Sequence, residues 1–240
     1  MLNYPALTKL LSEKRLFITG TNTDCGKTTV ACQLLQHFNQ LGKKTVGIKP
    51  VASGAELTDE GLRNEDALAL QYYSSLKLPY SSVNPFVFEP PIAPHIAAQQ
   101  AKKSLSVEIL LKACEQALKT EADLIIIEGA GGWLVPLNEE ETLADFAKSV
   151  EASMILVVGM TLGCLNHALL TEQSMRQMKV KIGGWIANEI DPSMQCRDEN
   201  LSTLQNRLQL PYLGNIPYQA AGTPPLRGGR SSAVAETLHG

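Results

Sequence analysis

The chain alternates short apolar runs with longer stretches in which apolar residues recur every three or four positions. The runs Leu16–Thr19, Thr45–Lys49, Asp123–Glu128, Met154–Gly159, Gly184–Asn188 and Tyr212–Ile216 predict six strands. Leu124-Ile125-Ile126-Ile127 and Ile155-Leu156-Val157-Val158 are continuous rather than alternating, the mark of strands buried on both faces of a parallel sheet. Val30, Leu34, Phe38 and Leu41 form one helical stripe closed by Gly42, and Val107, Leu110, Leu111, Cys114 and Leu118 form another opened by Ser106. Further helices are expected over Arg63–Ser74, Thr142–Val150, Asn166–Met178 and Cys196–Leu208. Strands alternating with helices specify an α/β fold: a single-domain, doubly wound, mostly parallel sheet flanked by helices, with ligands outside the carboxyl ends of the strands.

Residues 1–15 read as a short N-terminal extension, 16–221 as the functional domain and 222–240 as a flexible C-terminal tail. The proline-rich stretch Pro79–Pro94 reads as an irregular loop wrapping the sheet, not as a domain break.

Composition narrows the class of protein. A length of 240 residues with 44% hydrophobic and 19% charged positions suits one α/β domain with a sizeable core. A net charge of −3 with no basic block argues against nucleic acid or an anionic membrane as partner. The apolar runs are strand-sized, too short to span a bilayer, and Met1–Leu11 lacks the charged start and cleavage site of a signal peptide. The 5 cysteines form no CxxC pair, which suits reduced thiols in a cytoplasmic protein. His37, His95, His167 and His239 are too scattered to build a metal site.

The chemistry-bearing segments all fall at the predicted strand ends. Gly20-Thr21-Asn22-Thr23-Asp24-Cys25-Gly26-Lys27-Thr28 runs from a strand into a helix, the setting in which backbone N–H groups cradle a polyphosphate. Its first glycine stands one place earlier than the strict phosphate-loop pattern requires, because Thr21 occupies the usual position. In this reading Lys27 reaches the terminal phosphates and the Thr28 hydroxyl holds Mg²⁺. A capped strand-to-helix turn is the plainer alternative. Lys49-Pro50-Val51-Ala52-Ser53-Gly54 puts a second lysine at the next strand end, facing the crevice or solvent. Glu128, before Gly129-Ala130-Gly131-Gly132, is placed to hold Mg²⁺ opposite a phosphate loop. Asp66, at a helix start, reads on its own as a helix-dipole partner.

Together with Glu128-Gly129-Ala130-Gly131-Gly132-Trp133, Leu162-Gly163-Cys164-Leu165-Asn166-His167 and Gly61–Leu68, these segments resemble the dethiobiotin synthetase family of the P-loop NTPase superfamily, from about Leu16 to Gln219. The resemblance implies an ATP- and Mg²⁺-dependent ligase of biotin biosynthesis. Such an enzyme takes 7,8-diaminononanoate, CO₂ and ATP to a cyclic urea through a carbamate and a carbamic-phosphoric anhydride. It implies Lys49 and Lys27 as catalytic residues and Thr28, Asp66 and Glu128 at Mg²⁺. It places Ser53, Thr21, Leu162, Gly163, Cys164 and Asn166 at the substrate, the last four reaching across a homodimer interface. Asp24, Cys25, Gly26, Lys27, Thr28, Thr29, Asp66, Glu128, Gly129, Ala130 and Gly131 fall at the nucleotide phosphates. Asn188, Glu189, Pro217, Tyr218 and Gln219 fall at the base and ribose. Beyond Gln219 the chain departs from the pattern, and the family's usual nucleotide-contacting glutamate has no clear match at Thr223 or Pro224.

Two other readings share the loop. A partitioning-type switch ATPase would carry an additional lysine where this chain has Asn22, and a related amidoligase would bring a glutamine-hydrolysing domain. Asn188-Glu189-Ile190-Asp191 superficially matches a guanine-reading motif with Glu for Lys, which leaves base preference open.

Overall fold

The computed structural model of the chain describes residues 1–218. Gln219 and the segment 222–240 lie outside the described residues. The chain opens with α1 (Tyr4–Thr8) and a 3₁₀ turn (Lys9–Ser12), then β1 (Arg15–Gly20), α2 (Lys27–Gln40), β2 (Thr45–Ile48) and β3 (Val51–Ser53). A hairpin of β4 (Glu56–Thr58) and β5 (Gly61–Arg63) leads to α3 (Glu65–Tyr73), α4 (Tyr80–Val83), β6 (Phe86–Phe88) and α5 (Pro94–Gln100). Then come α6 (Val107–Ala113), α7 (Glu115–Leu118), β7 (Leu124–Glu128), α8 (Leu143–Ser149) and β8 (Ser153–Met160). The described chain closes with α9 (Cys164–Gln177), β9 (Ile182–Glu189), α10 (Arg197–Arg207) and β10 (Tyr212–Ile216).

Six strands form one parallel sheet in the order β10-β9-β8-β1-β7-β2. Its apolar runs serve two cores at once. Leu16, Ile18, Leu124, Ile126, Ile155 and Val157 pack on one face with α2, while Phe17, Ile125, Ile127, Leu156 and Val158 pack on the other. Period-two side-chain alternation explains why continuous aliphatic runs were needed: every position meets a helix layer. The helix ends obey local rules. After α2, Lys43 N–H bonds Phe38 O and Gly42 N–H bonds Asn39 O, a Schellman stop. Thr142 and Asp145 form a capping box at α8, and the Ser106 hydroxyl caps α6.

Three regions differ from what their patterns indicate. The segment before β1 is built into the fold, with Leu7 and Leu10 buried against the α2 face. The Pro79–Pro94 stretch is not an irregular loop throughout: it holds α4 and β6, which pairs parallel with β3. The stripe expected to run to Leu118 breaks at Cys114 into α6 and α7.

The chain leaves β1 for β2 and returns to lay β7 between them, then crosses to β8 on the far side of β1. This change of winding direction opens a crevice at the carboxyl ends beside β1. The register pairs Ile18 with Glu128 and Ile48 with Ile127, so Glu128 emerges between the ends of β1 and β2.

Candidate active site

Gly26 caps α2 in the left-handed region, at φ +86°, and brings no side chain to the helix start. The first-turn N–H groups of α2 therefore have no side-chain cap and face the crevice as an anion site. Cys25 is buried, its sulfur 2.2 Å from where a Cβ on Gly20 would stand, so the loop closes tightly on itself. Lys27 is buried and folds back to donate to Asn22 O at 3.0 Å. Asp24 is exposed, while Thr21, Thr28 and Thr29 are half-buried. Asn188, at the end of β9, donates to Cys25 O at 3.0 Å and braces the loop from behind.

Thr28, Lys49, Asp66 and Glu128 converge. Lys49 Nζ donates to Glu128 Oε1 at 2.6 Å and to Asp66 Oδ2 at 2.7 Å. Thr28 Oγ1 donates to the same Glu128 Oε1 at 2.8 Å. Glu128 is only 1% exposed and its Oε2 has no partner among the described residues. Burial alone would lower the Lys49 ammonium, but the charges of Glu128 and Asp66 outweigh it and hold it above its ordinary value. Burial tends to raise Asp66, yet Lys49 beside it brings that carboxyl below the usual range. Glu128 goes up: burial dominates, Lys49 opposes, and the Asp66 charge adds to the rise. Two carboxylates share the Lys49 ammonium, which leaves carboxylate oxygens over for a further cation.

Ser53 ends β3 with its hydroxyl buried and without a partner among the described residues, beside the turn at Gly54. Gly129 N–H bonds Ile18 O at 3.0 Å, which locks the Glu128–Gly131 turn, Ala130 included, beside β1. At the other end of the crevice Glu189, Arg197 and Tyr218 line a cleft of about 460 Å³, with Cys196 at its rim. Pro217 precedes Tyr218 after β10, whereas Gln219 lies outside the described residues. The segment after β8 stands apart: Leu162 is 97% exposed, Gly163 caps α9, Cys164 is buried and Asn166 is exposed.

Sequence reasoning missed a polar relay under Lys49. The buried Asn84 donates to Lys49 O at 2.6 Å and accepts from the Tyr80 hydroxyl at 3.0 Å. That hydroxyl accepts from Asn64 N–H at 2.8 Å, and Asn64 caps the helix carrying Asp66. The relay ties the backbone of Lys49 to the start of α3. The only signal was a Tyr and an Asn inside a proline-rich stretch. Arg197 and Asn215, partners of Glu189, were missed as well.

A family model described as an AAA domain matches residues 14–225. The ATP-dependent dethiobiotin synthetase of Cellvibrio japonicus (strain Ueda107) is 50% identical over 207 residues, 86% of this chain and 90% of the relative. The enzyme of that name from Pseudomonas aeruginosa (strain UCBPP-PA14) is 48% identical over 208 residues, 87% of this chain and 91% of the relative. Among solved structures, the MinC:MinD cell division protein complex of Aquifex aeolicus aligns with a TM-score of 0.56 at 18% identity, over 86% of this chain and 82% of that one. A putative plasmid partition protein from Borrelia burgdorferi B31 bound to AMPPNP aligns with a TM-score of 0.54 at 13% identity, over 87% and 88%. At such identities the likeness is one of fold.

Proposed function

The chain belongs to the ATP-dependent dethiobiotin synthetase family, and from that premise we propose how its own residues close the ring. It is a ligase of biotin biosynthesis that uses ATP to form dethiobiotin. The substrates in this reading are 7,8-diaminononanoate, CO₂ and ATP. One amine and CO₂ give a carbamate, whose oxygen is a poor leaving group. Transfer of the γ-phosphoryl group to that oxygen gives a carbamic-phosphoric anhydride. The second amine then attacks the carbonyl carbon, the C–O bond to phosphate breaks, and the attacking nitrogen loses a proton. ADP and phosphate leave with the cyclic urea.

The protein's task is alignment and charge neutralisation, because phosphoryl transfer needs carbamate oxygen and γ-phosphate in line. The bare start of α2, Gly26 to Thr29, receives the phosphates. Lys27 and Lys49 neutralise charge that gathers on the transferred group. The Ser53 hydroxyl, which has no partner among the described residues, is available to the carbamate, with Thr21 on the opposite wall. Asn188, Glu189, Pro217 and Tyr218 border the base and ribose, and Gln219 extends that border. Leu162, Gly163, Cys164 and Asn166 serve the substrate's carboxylate tail across a homodimer.

A divalent cation suits the donor set. Among the described residues no group of three or more His, Cys, Asp or Glu could hold a metal by itself. Thr28, Asp66 and Glu128 instead offer one hydroxyl and two carboxylates, with Glu128 Oε2 unspent. So sparse an oxygen set fits Mg²⁺, which keeps waters and shares phosphate oxygens. Those residues would hold Mg²⁺, which would supply positive charge against the phosphates.

The observation that carries this reading is the meeting of Lys49 and Thr28 on one oxygen of the buried Glu128. The test is a coupled assay of ADP release with the diamine and bicarbonate varied independently. Release that needs both supports the ligase; ATP turnover indifferent to the diamine overturns it.

A further inference from the structure

The segment before β1 lies along the outer edge of β10, the end strand of the sheet among the described residues. Leu2 forms an antiparallel bridge with Gly214, and Asn3 N–H donates to Leu213 O at 2.8 Å. The approach is close: a Cβ on Gly214, whose φ is +115°, would stand 2.6 Å from Leu2 Cα and Asn3 N. Leu7 and Leu10 anchor the segment in the core. One residue beyond the bridge, the Asn215 side chain joins the two sides: its Oδ1 accepts from the Met1 ammonium at 2.5 Å and its Nδ2 donates to Glu189 Oε1 at 2.9 Å. Glu189 Oε2 accepts from Arg197 at 3.0 Å and from Tyr218 N–H at 3.3 Å. The ends of β9 and β10 and the start of α10 thus meet on one carboxylate whose side chain is 12% exposed. Glu189, Arg197 and Tyr218 are walls of the cleft of about 460 Å³.

We propose that residues 1–3 act as a brace that fixes Asn215 and, through it, Glu189 and Tyr218, setting the shape of the base and ribose cleft. The inference rests on the reading of that cleft as part of the nucleotide site. Shielding an exposed strand edge accounts for the Leu2–Gly214 pairing alone. It does not account for Asn215 carrying the same strand across to Glu189. Both carboxylate oxygens of Glu189 are engaged by protein donors, so Glu189 works as a positioning residue that orders the wall.

The test compares the full chain with a variant lacking residues 1–3 and with Asn215→Ala, each first checked for a cooperative thermal melt. Both changes are expected to raise the KM for ATP roughly five-fold or more, with kcat and the KM for the diamine unchanged. Calorimetric titration with ATP alone should show the same loss, and the two changes combined should give no more than either alone. Should the shortened chain fail to fold, Asn215→Ala carries the comparison by itself. Wild-type ATP affinity in the folded variants, or kcat falling together with affinity, overturns the brace. Absence of diamine-dependent ADP release in the unaltered chain would instead strike the ligase reading, and the ATP titration separates the two.

Discussion

Gly26 and Asn188 compete for one space: a Cβ on Gly26 would stand 1.8 Å from Nδ2 of Asn188, the nitrogen that donates to Cys25 O. The phosphate loop is therefore shaped from two sides, by a left-handed φ of +86° at Gly26 and by an amide from the far end of β9. Gly26→Ala should weaken ATP binding ~10-fold or more and cost about 1–3 kcal/mol of stability, since both strain and overlap must be relieved. ATP titration and urea melts measure these. Asn188→Ala in the same chain should recover part of the stability, because it removes the overlap and leaves only the strained φ.

Lys49→Ala should abolish ring closure while nucleotide affinity stays near that of the unaltered chain. It strips the counter-ion from a carboxylate that is 1% exposed, and removal of one partner of a buried pair costs about 3–5 kcal/mol. Adding Glu128→Gln should return part of that stability but no activity. Single-turnover ring closure and denaturant melts check both statements. Equal turnover in Lys49→Ala would take the residue out of the mechanism.

Tyr80→Phe removes the hydroxyl that links Asn64 N–H to Asn84 and leaves the half-buried ring in place. A stability loss of about 1–2 kcal/mol follows from two lost hydrogen bonds at a partly buried site. Because the relay sets Lys49 against Asp66, kcat should fall several-fold more than ATP affinity does. Steady-state kinetics beside ATP titration would reveal the split.

The His37 ring packs tilted against those of Tyr4 and Phe38, at centroid distances of 4.9 and 5.4 Å. Burial holds its imidazole below the ordinary value of 6.5, so the unfolded chain binds that proton more readily than the fold does. Stability associated with neutral His37 is complete above pH ~6.5 and is lost as pH falls through the lower folded value. His37→Phe should flatten the fall in melting temperature between about pH 6.5 and pH 5 relative to the unaltered chain. Parallel curves for the two chains would refute this.

Native alkylation should mark one thiol. Cys25, Cys32, Cys114 and Cys164 are buried and Cys196 is exposed. Burial pushes Cys114 up to about 12 and also raises Cys32, with Glu128 and Asp66 adding to the effect there. Peptide mapping after iodoacetamide at neutral pH should find Cys196 modified first. ATP should slow that reaction, because Cys196 borders the cleft with Glu189 and Tyr218.

Much of this was legible along the chain, for definite reasons. Continuous aliphatic runs such as Leu124–Ile127 need helices on both faces, and that requirement alone identifies a parallel sheet. Gly26-Lys27-Thr28 at a strand-to-helix turn speaks for a phosphate cradle because its effect is local, made by backbone and helix start. Asp66 was ambiguous for the converse reason. A helix start welcomes a carboxylate whether or not a lysine 17 residues away turns toward it. Tyr80, Asn84 and Asn215 were invisible because they act through hydrogen bonds to distant parts of the chain that no periodicity encodes.

The sequence by itself determined the six strands of the main sheet, the phosphate loop and the sheet's parallel character, since local propensity and alternation of burial need no distant partner. Tertiary structure alone decided that β7 lies between β1 and β2, which delivers Glu128 to Thr28 and Lys49 across 100 and 79 residues of chain. It likewise decided that the first three residues reach the end of β10. Strand order and edge pairing are settled by the packing of whole layers, and that free energy belongs to no single stretch of sequence.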